Sequence, residues 1–168
     1  MKAMRKAGID LDKMEKNGFF GQEMKLKKVL RNAENLALNS KANIQLRLEA
    51  IETISLGSLL HSNSTSVLKE LIKPNNQSIL RYKAIDSVAN MSKNEPAKML
   101  LAAWPSLIGE GRKKTLDVLL SRPSWQEELL QAMETNAISL SGFPLLHRDR
   151  LLNSNNKSVV RRAKLIFD

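Results

Sequence analysis

Few groups in this 168-residue chain could do chemistry. It has two histidines, His61 in a Ser/Asn-rich stretch and His147 in the basic run His147-Arg148-Asp149-Arg150, and no cysteine. A metal ion needs several ligands at close spacing, and neither histidine has them. Asp10, Asp12 and Glu15 are spaced somewhat like hard-cation ligands, but the glycine and closing glutamate of a calcium loop are missing. A catalytic histidine needs a nucleophile or carboxylate partner, and no motif supplies one. The lack of Cys removes disulfides, thiolate zinc sites, covalent c-type haem attachment and Cys nucleophiles from this chain. Glu127 and Glu128 are adjacent carboxylates, yet consecutive helical residues do not face each other. Glu127 reads better as the partner of Ser124 in a capping box. Trp104 and Trp125 have the aromatic faces that stack on bases, but each lies near a proline at a helix end, where packing explains it. No P-loop, dinucleotide fingerprint or zincin motif is present. The expectation is a chain without catalytic, cofactor-binding or metal-binding residues, and not by itself an enzyme.

The elements that would position any site are announced by a recurring phrase. It is a polar turn, an aliphatic residue, a basic residue at or near the next position, and Ala four after the aliphatic. Asn75-Asn76-Gln77-Ser78-Ile79-Leu80-Arg81-Tyr82-Lys83-Ala84 is one copy, and Asn155-Asn156-Lys157-Ser158-Val159-Val160-Arg161-Arg162-Ala163 is another. Asn39-Ser40-Lys41-Ala42-Asn43-Ile44-Gln45-Leu46-Arg47-Leu48-Glu49-Ala50 is looser, and Gly111-Arg112-Lys113-Lys114-Thr115 is degenerate. Ala84 follows Ala50 by 34 residues, Thr115 follows after 31 and Ala163 after 48. Repeats of this length are helix pairs stacked into a solenoid. Ala50, Ala84 and Ala163 are expected where helices approach closely and need a small side chain. Arg47, Arg81 and Arg161 are expected to form a ladder bonding the turn carbonyls of neighbouring repeats, a structural role rather than phosphate binding.

Local signals place helices around this phrase. Residues 1–38 form a helical lead-in with a helix over Gln22–Leu38, and 39–168 form the repeat domain, either separate from the lead-in or continuous with it. Further helices are predicted over Ile44–Leu56, apolar almost all round and therefore buried, and over Val67–Ile72, ended by Pro74. One runs from Leu80 to Met91, and one opens at Asn94-Glu95-Pro96 and bends at Trp104-Pro105. Others cover Arg112–Leu120, Trp125–Met133 behind the Ser124/Glu127 box, a stretch through Leu152 capped by Ser141, and Ser158–Phe167. The apolar end Leu165-Ile166-Phe167 lacks the polar cap that a solenoid needs, which suggests a covering neighbour or a longer chain.

Composition excludes other classes. Aromatic residues are 4% of the chain, so aliphatic residues must build the core. No apolar run approaches the roughly 18 residues of a membrane span, and no apolar segment follows the charged start to make a secretory signal; the compartment is left open. The net charge of +10 is concentrated at the ends: nine Lys/Arg against four Asp/Glu in 1–31, six against two in 147–168, and twelve against eleven between. A nucleic-acid groove would run a basic stripe through the body, so weak or non-specific nucleic-acid binding is expected at most.

The helix pairs resemble HEAT-like repeats, through the aliphatic-basic-x-x-Ala phrase, the Pro or Asn turns and the period. A narrower resemblance covers roughly Leu116–Phe167. Leu119-Leu120-Ser121-Arg122-Pro123-Ser124-Trp125, Leu129-Leu130-Gln131-Ala132-Met133-Glu134, Arg150-Leu151-Leu152-Asn153 and Arg162-Ala163-Lys164-Leu165-Ile166-Phe167 are similar to a helical region of large, exported planctomycete-type proteins described as membrane-bound dehydrogenases or c-type haem-binding proteins. In that family a β-propeller precedes this region and a haem domain follows; this chain has neither, and no haem residue carries over. The resemblance implies a fragment or remnant of a larger haem-containing dehydrogenase-like protein.

The reading is therefore an all-α, right-handed α-solenoid of HEAT-like helix pairs, acting as a non-catalytic scaffold for a protein partner or adjoining domains. Ala50, Ala84, Ala163, Arg47, Arg81, Ser124 and Glu127 are its structural residues. The alternative is a HEAT-like nucleic-acid-binding protein resembling alkylpurine DNA glycosylases in repeat class.

Overall fold

The computed structural model describes residues 19–56, 63–91 and 95–167. They form an all-α protein with no strand among the described residues. The helices are α1 (Phe19–Leu38), α2 (Ile44–Leu56), α3 (Ser64–Ile72), α4 (Ser78–Val88) and α5 (Glu95–Ala103), then a 3-10 turn (Trp104–Ser106). They continue as α6 (Glu110–Leu119), α7 (Pro123–Glu134), α8 (Leu145–Leu152) and α9 (Lys157–Phe167).

The asparagines of the recurring turn start helices by capping them. Asn43 Oδ1 accepts the Gln45 N–H at 2.8 Å at the head of α2. Asn156 Oδ1 accepts the Ser158 N–H at 2.8 Å and the Val159 N–H at 3.4 Å at the head of α9. Each bond satisfies an amide that the first helical turn leaves without a partner. In the copy before α4 the asparagine works on the preceding helix instead: Asn76 Nδ2 donates to the Glu70 carbonyl of α3 at 2.9 Å.

Substantial packing joins only helices one or two places apart in the chain. α1, α3, α5, α7 and α9 each rest on the next of that series, and α2, α4 and α6 do likewise. The pairs α1/α2, α3/α4 and α8/α9 tie the two series together. The core runs along this whole array, from Ala33 to Ala163. The small position of the phrase is buried in every copy: Ala50, Ala84, Thr115 and Ala163.

Several expectations are corrected. α7 begins at Pro123 with Arg122 as its extended cap (φ −142°, ψ 140°) and no side-chain cap bond. Proline's fixed φ suits the first helical position, and the residue before it is pushed extended. Ser124 is therefore inside the helix and exposed, and the Ser124/Glu127 capping box does not form. Glu127 Oε1 instead accepts Asn156 Nδ2 at 3.2 Å. Pro144, not Ser141, precedes the first residue of α8. α2 is not buried all round, for Leu46 and Leu56 are exposed. The arginine ladder forms at only one of its expected positions. Arg47 Nε donates to the Ala37 carbonyl at 2.9 Å, but Arg81 Nε is buried without a partner and Arg161 is exposed. Arg162, the next residue, reaches α7 in its place, within 3.5 Å of the Glu127 carbonyl.

Candidate functional site

A ladder of opposite charges crosses successive helices. Lys83 Nζ of α4 lies 2.8 Å from Glu52 Oε2 of α2, and Lys114 Nζ of α6 lies 2.8 Å from Asp86 Oδ2 of α4. Arg150 Nη1 of α8 donates to Asp117 Oδ1 of α6 at 2.9 Å. On the other series Arg162 grips Glu134 with two bonds, at 2.9 and 2.7 Å. The hydrogen bond from Lys83 holds the Glu52 carboxyl below its usual range, and that from Arg162 does the same for Glu134. The bond to Asp86 raises Lys114 above the ordinary lysine value.

Sequence reasoning missed this ladder, although its signal was present. Glu52, Asp86 and Asp117 each stand two residues after the small position of a repeat copy, and Lys83 and Lys114 stand immediately before it. A base at −1 and an acid at +2 are three apart, so they share one helix face.

His147 joins the same ladder. It is buried, with Nε2 3.2 Å from Asp117 Oδ1 and Nδ1 without a partner. Its ring meets Phe143 edge-on at 6.4 Å between centroids. This shared carboxylate clamps α8 to α6, and the closed-in imidazole has no surface to offer a substrate. His61, Asp10, Asp12 and Glu15 lie outside the described residues. No group of three or more metal-ligating side chains occurs among the described residues.

The two tryptophans separate. Trp125 is fully buried beneath the Arg122 guanidinium, whose Cζ stands 4.5 Å from the ring centroid. Arg122 also donates to the Ala89 carbonyl at 2.7 Å, fixing the start of α7 to the end of α4. Trp104 is only half-buried and forms part of a groove of about 610 Å3. The 3-10 turn supplies Trp104, α6 supplies Arg112 and Lys113, and the segment between α7 and α8 supplies Ser139 and Phe143. Arg112 Cζ lies 5.1 Å from the centre of the Trp104 ring. Gly109 at the lip has φ 48° and ψ −122°, backbone space that is essentially glycine's own. That turn brings α6 back beside Trp104 and opens the groove.

No family model matches this chain, and neither curated proteins nor solved structures yield a match. Among the described residues the fold defines an all-α protein with a charge ladder across its helices and a groove that bears Trp104, Phe143 and two cations. No helix among the described residues is long and apolar enough to cross a membrane.

Proposed function

We propose that this chain is a non-catalytic helical-repeat scaffold, a right-handed α-solenoid of HEAT-like helix pairs that holds a protein partner or adjoining domains. The observation that carries this reading is the packing pattern: among the described residues, substantial packing joins helices one or two places apart in the chain, as in arrays whose stability is summed repeat by repeat. Two things support it. The buried small position recurs at Ala50, Ala84, Thr115 and Ala163, and the acid–base ladder recurs in phase with it. Large aliphatic residues stay exposed on several helices, among them Leu46, Ile79 and Leu146, which suits a surface meant for protein. Derivation from a larger haem-containing dehydrogenase-like protein rests on the resemblance of Leu116–Phe167 alone.

The rival reading, nucleic-acid binding, is favoured by one observation, the half-exposed Trp104 beside Arg112 and Lys113. The ladder weighs against it, because Lys83, Lys114, Arg150 and Arg162 are each spent on a carboxylate. A phosphate backbone needs an uninterrupted row of cations.

Photo-crosslinking separates the two readings. A benzophenone amino acid at Leu46, and separately at Leu146, is irradiated in cells expressing the full chain. Discrete adducts that a protease removes and a nuclease leaves intact are the expected result. Nucleic-acid adducts, or none at either position, would refute the scaffold reading.

A further inference from the structure

We infer that the groove at the head of α6 docks an acidic, apolar segment of a partner protein, with a carboxylate on Arg112 and Lys113 and a large apolar side chain between Trp104 and Phe143. This deepens the scaffold reading and rests on it. Charge complementarity is the first argument. Two cations line the groove and no carboxylate does. The charge ladder matches its cations to carboxylates at 2.7–2.9 Å, whereas Lys113 meets Glu110 only at 4.0 Å and Arg112 has no ion pair among the described residues. Arg112 is held over the Trp104 ring at 5.1 Å, so its planar fork is already oriented for a carboxylate and little side-chain freedom is lost on binding.

The rim supplies the second argument. Ile108 is 72% exposed directly before Gly109, and Leu145 is 69% exposed directly after Pro144. Gly109 and Pro144 both line the groove, so exposed apolar residues adjoin it in the chain at two points. That pattern fits a segment mixing acids with aliphatic or aromatic residues. It fits a polyanion less well, for only Arg112 and Lys113 supply positive charge here and a phosphate backbone needs a longer row of cations. About 610 Å3 is in the range of pockets for small ligands, ~300–1,000 Å3, so the occupant is a short segment rather than a broad folded face.

The test is fluorescence anisotropy with the full chain and four probes. One labelled peptide alternates Glu with Leu and Phe, a second has each Glu replaced by Lys, a third is all Glu, and the fourth is a single-stranded oligothymidine. The first peptide is expected to bind tightest and to perturb Trp104 emission, Trp125 being buried. The double variant Arg112→Glu, Lys113→Glu should weaken it about tenfold or more with an unchanged helical circular dichroism spectrum. Arg112→Met serves as a milder second variant and should lower affinity in the same direction. Three results overturn the inference: equal binding of the Lys peptide, undiminished binding by both variants, or tighter binding of the oligonucleotide. A protein adduct at Leu46 with no peptide binding here would remove the groove's role and leave the scaffold standing.

Discussion

Replacing Ala84 by leucine probes the packing on which the scaffold depends. Ala84 is completely buried on α4, and α4 packs on α2, α3 and α6. A leucine there adds three carbon atoms where helices already touch. Overpacking of this kind costs ~1–3 kcal/mol, and intrinsic helix propensity contributes little because leucine is nearly as good a helix former as alanine. For a chain of this size each kcal/mol lowers Tm by ~2–4 °C, so a fall of about 2–12 °C is expected. The assay is thermal melting followed by far-UV circular dichroism, with Ile79→Leu on the same helix as control. Ile79 is exposed, and its variant should stay within ~0.5 kcal/mol of wild type. An Ala84→Leu melt that matches the control would refute the argument that the recurring small residue lets the helices approach.

Three further outcomes follow from particular atoms. Thr115 fills the small position with a hydroxyl that is buried and lacks a partner, so Thr115→Val should stabilise by ~1 kcal/mol, read as a raised midpoint in urea. Asn156→Ala removes the oxygen capping α9 and the donor to Glu127; a loss of ~0.5–2 kcal/mol is expected, with faster amide exchange at Ser158 and Val159. Glu134 and Glu52 are held below the 4.5 of a free glutamate by Arg162 and Lys83. A depressed folded-state value contributes stability above pH ~4.5 that is lost as pH falls through it, so Tm should drop in acid, and Arg162→Met should flatten that drop if the Glu134 pair causes it. Lys114 works in the opposite sense: its raised value contributes below pH ~10.5 and is lost above it.

The local code accounts for much of the helical framework. Asn43 and Asn156 read as turn residues and cap the helices that follow, while Pro123 in the first turn of α7 decided a boundary that Ser124 and Glu127 had suggested elsewhere. That misreading has a simple cause: two legitimate start signals overlapped, and the fixed backbone of proline outweighs a side-chain bond that serine has yet to make. The groove was less legible. Trp104 and Trp125 are the same residue type near the same kind of helix end, yet one is sealed under Arg122 and the other opens onto Arg112 and Lys113.

By itself, then, the sequence determined that the chain is helical, where most helices start and stop, and that a small residue recurs at a buried position. These follow from interactions spanning three or four residues, which the chain encodes in place. Tertiary structure alone decided which charges meet. The acids at 52, 86, 117 and 134 are partnered by Lys83, Lys114, Arg150 and Arg162. The sequence displays the phase of these charges, a base at −1 and an acid at +2 of the small position, but which base meets which acid depends on how one helix lies against another. The groove is tertiary for the same reason: its walls come from three separate elements that only packing brings together.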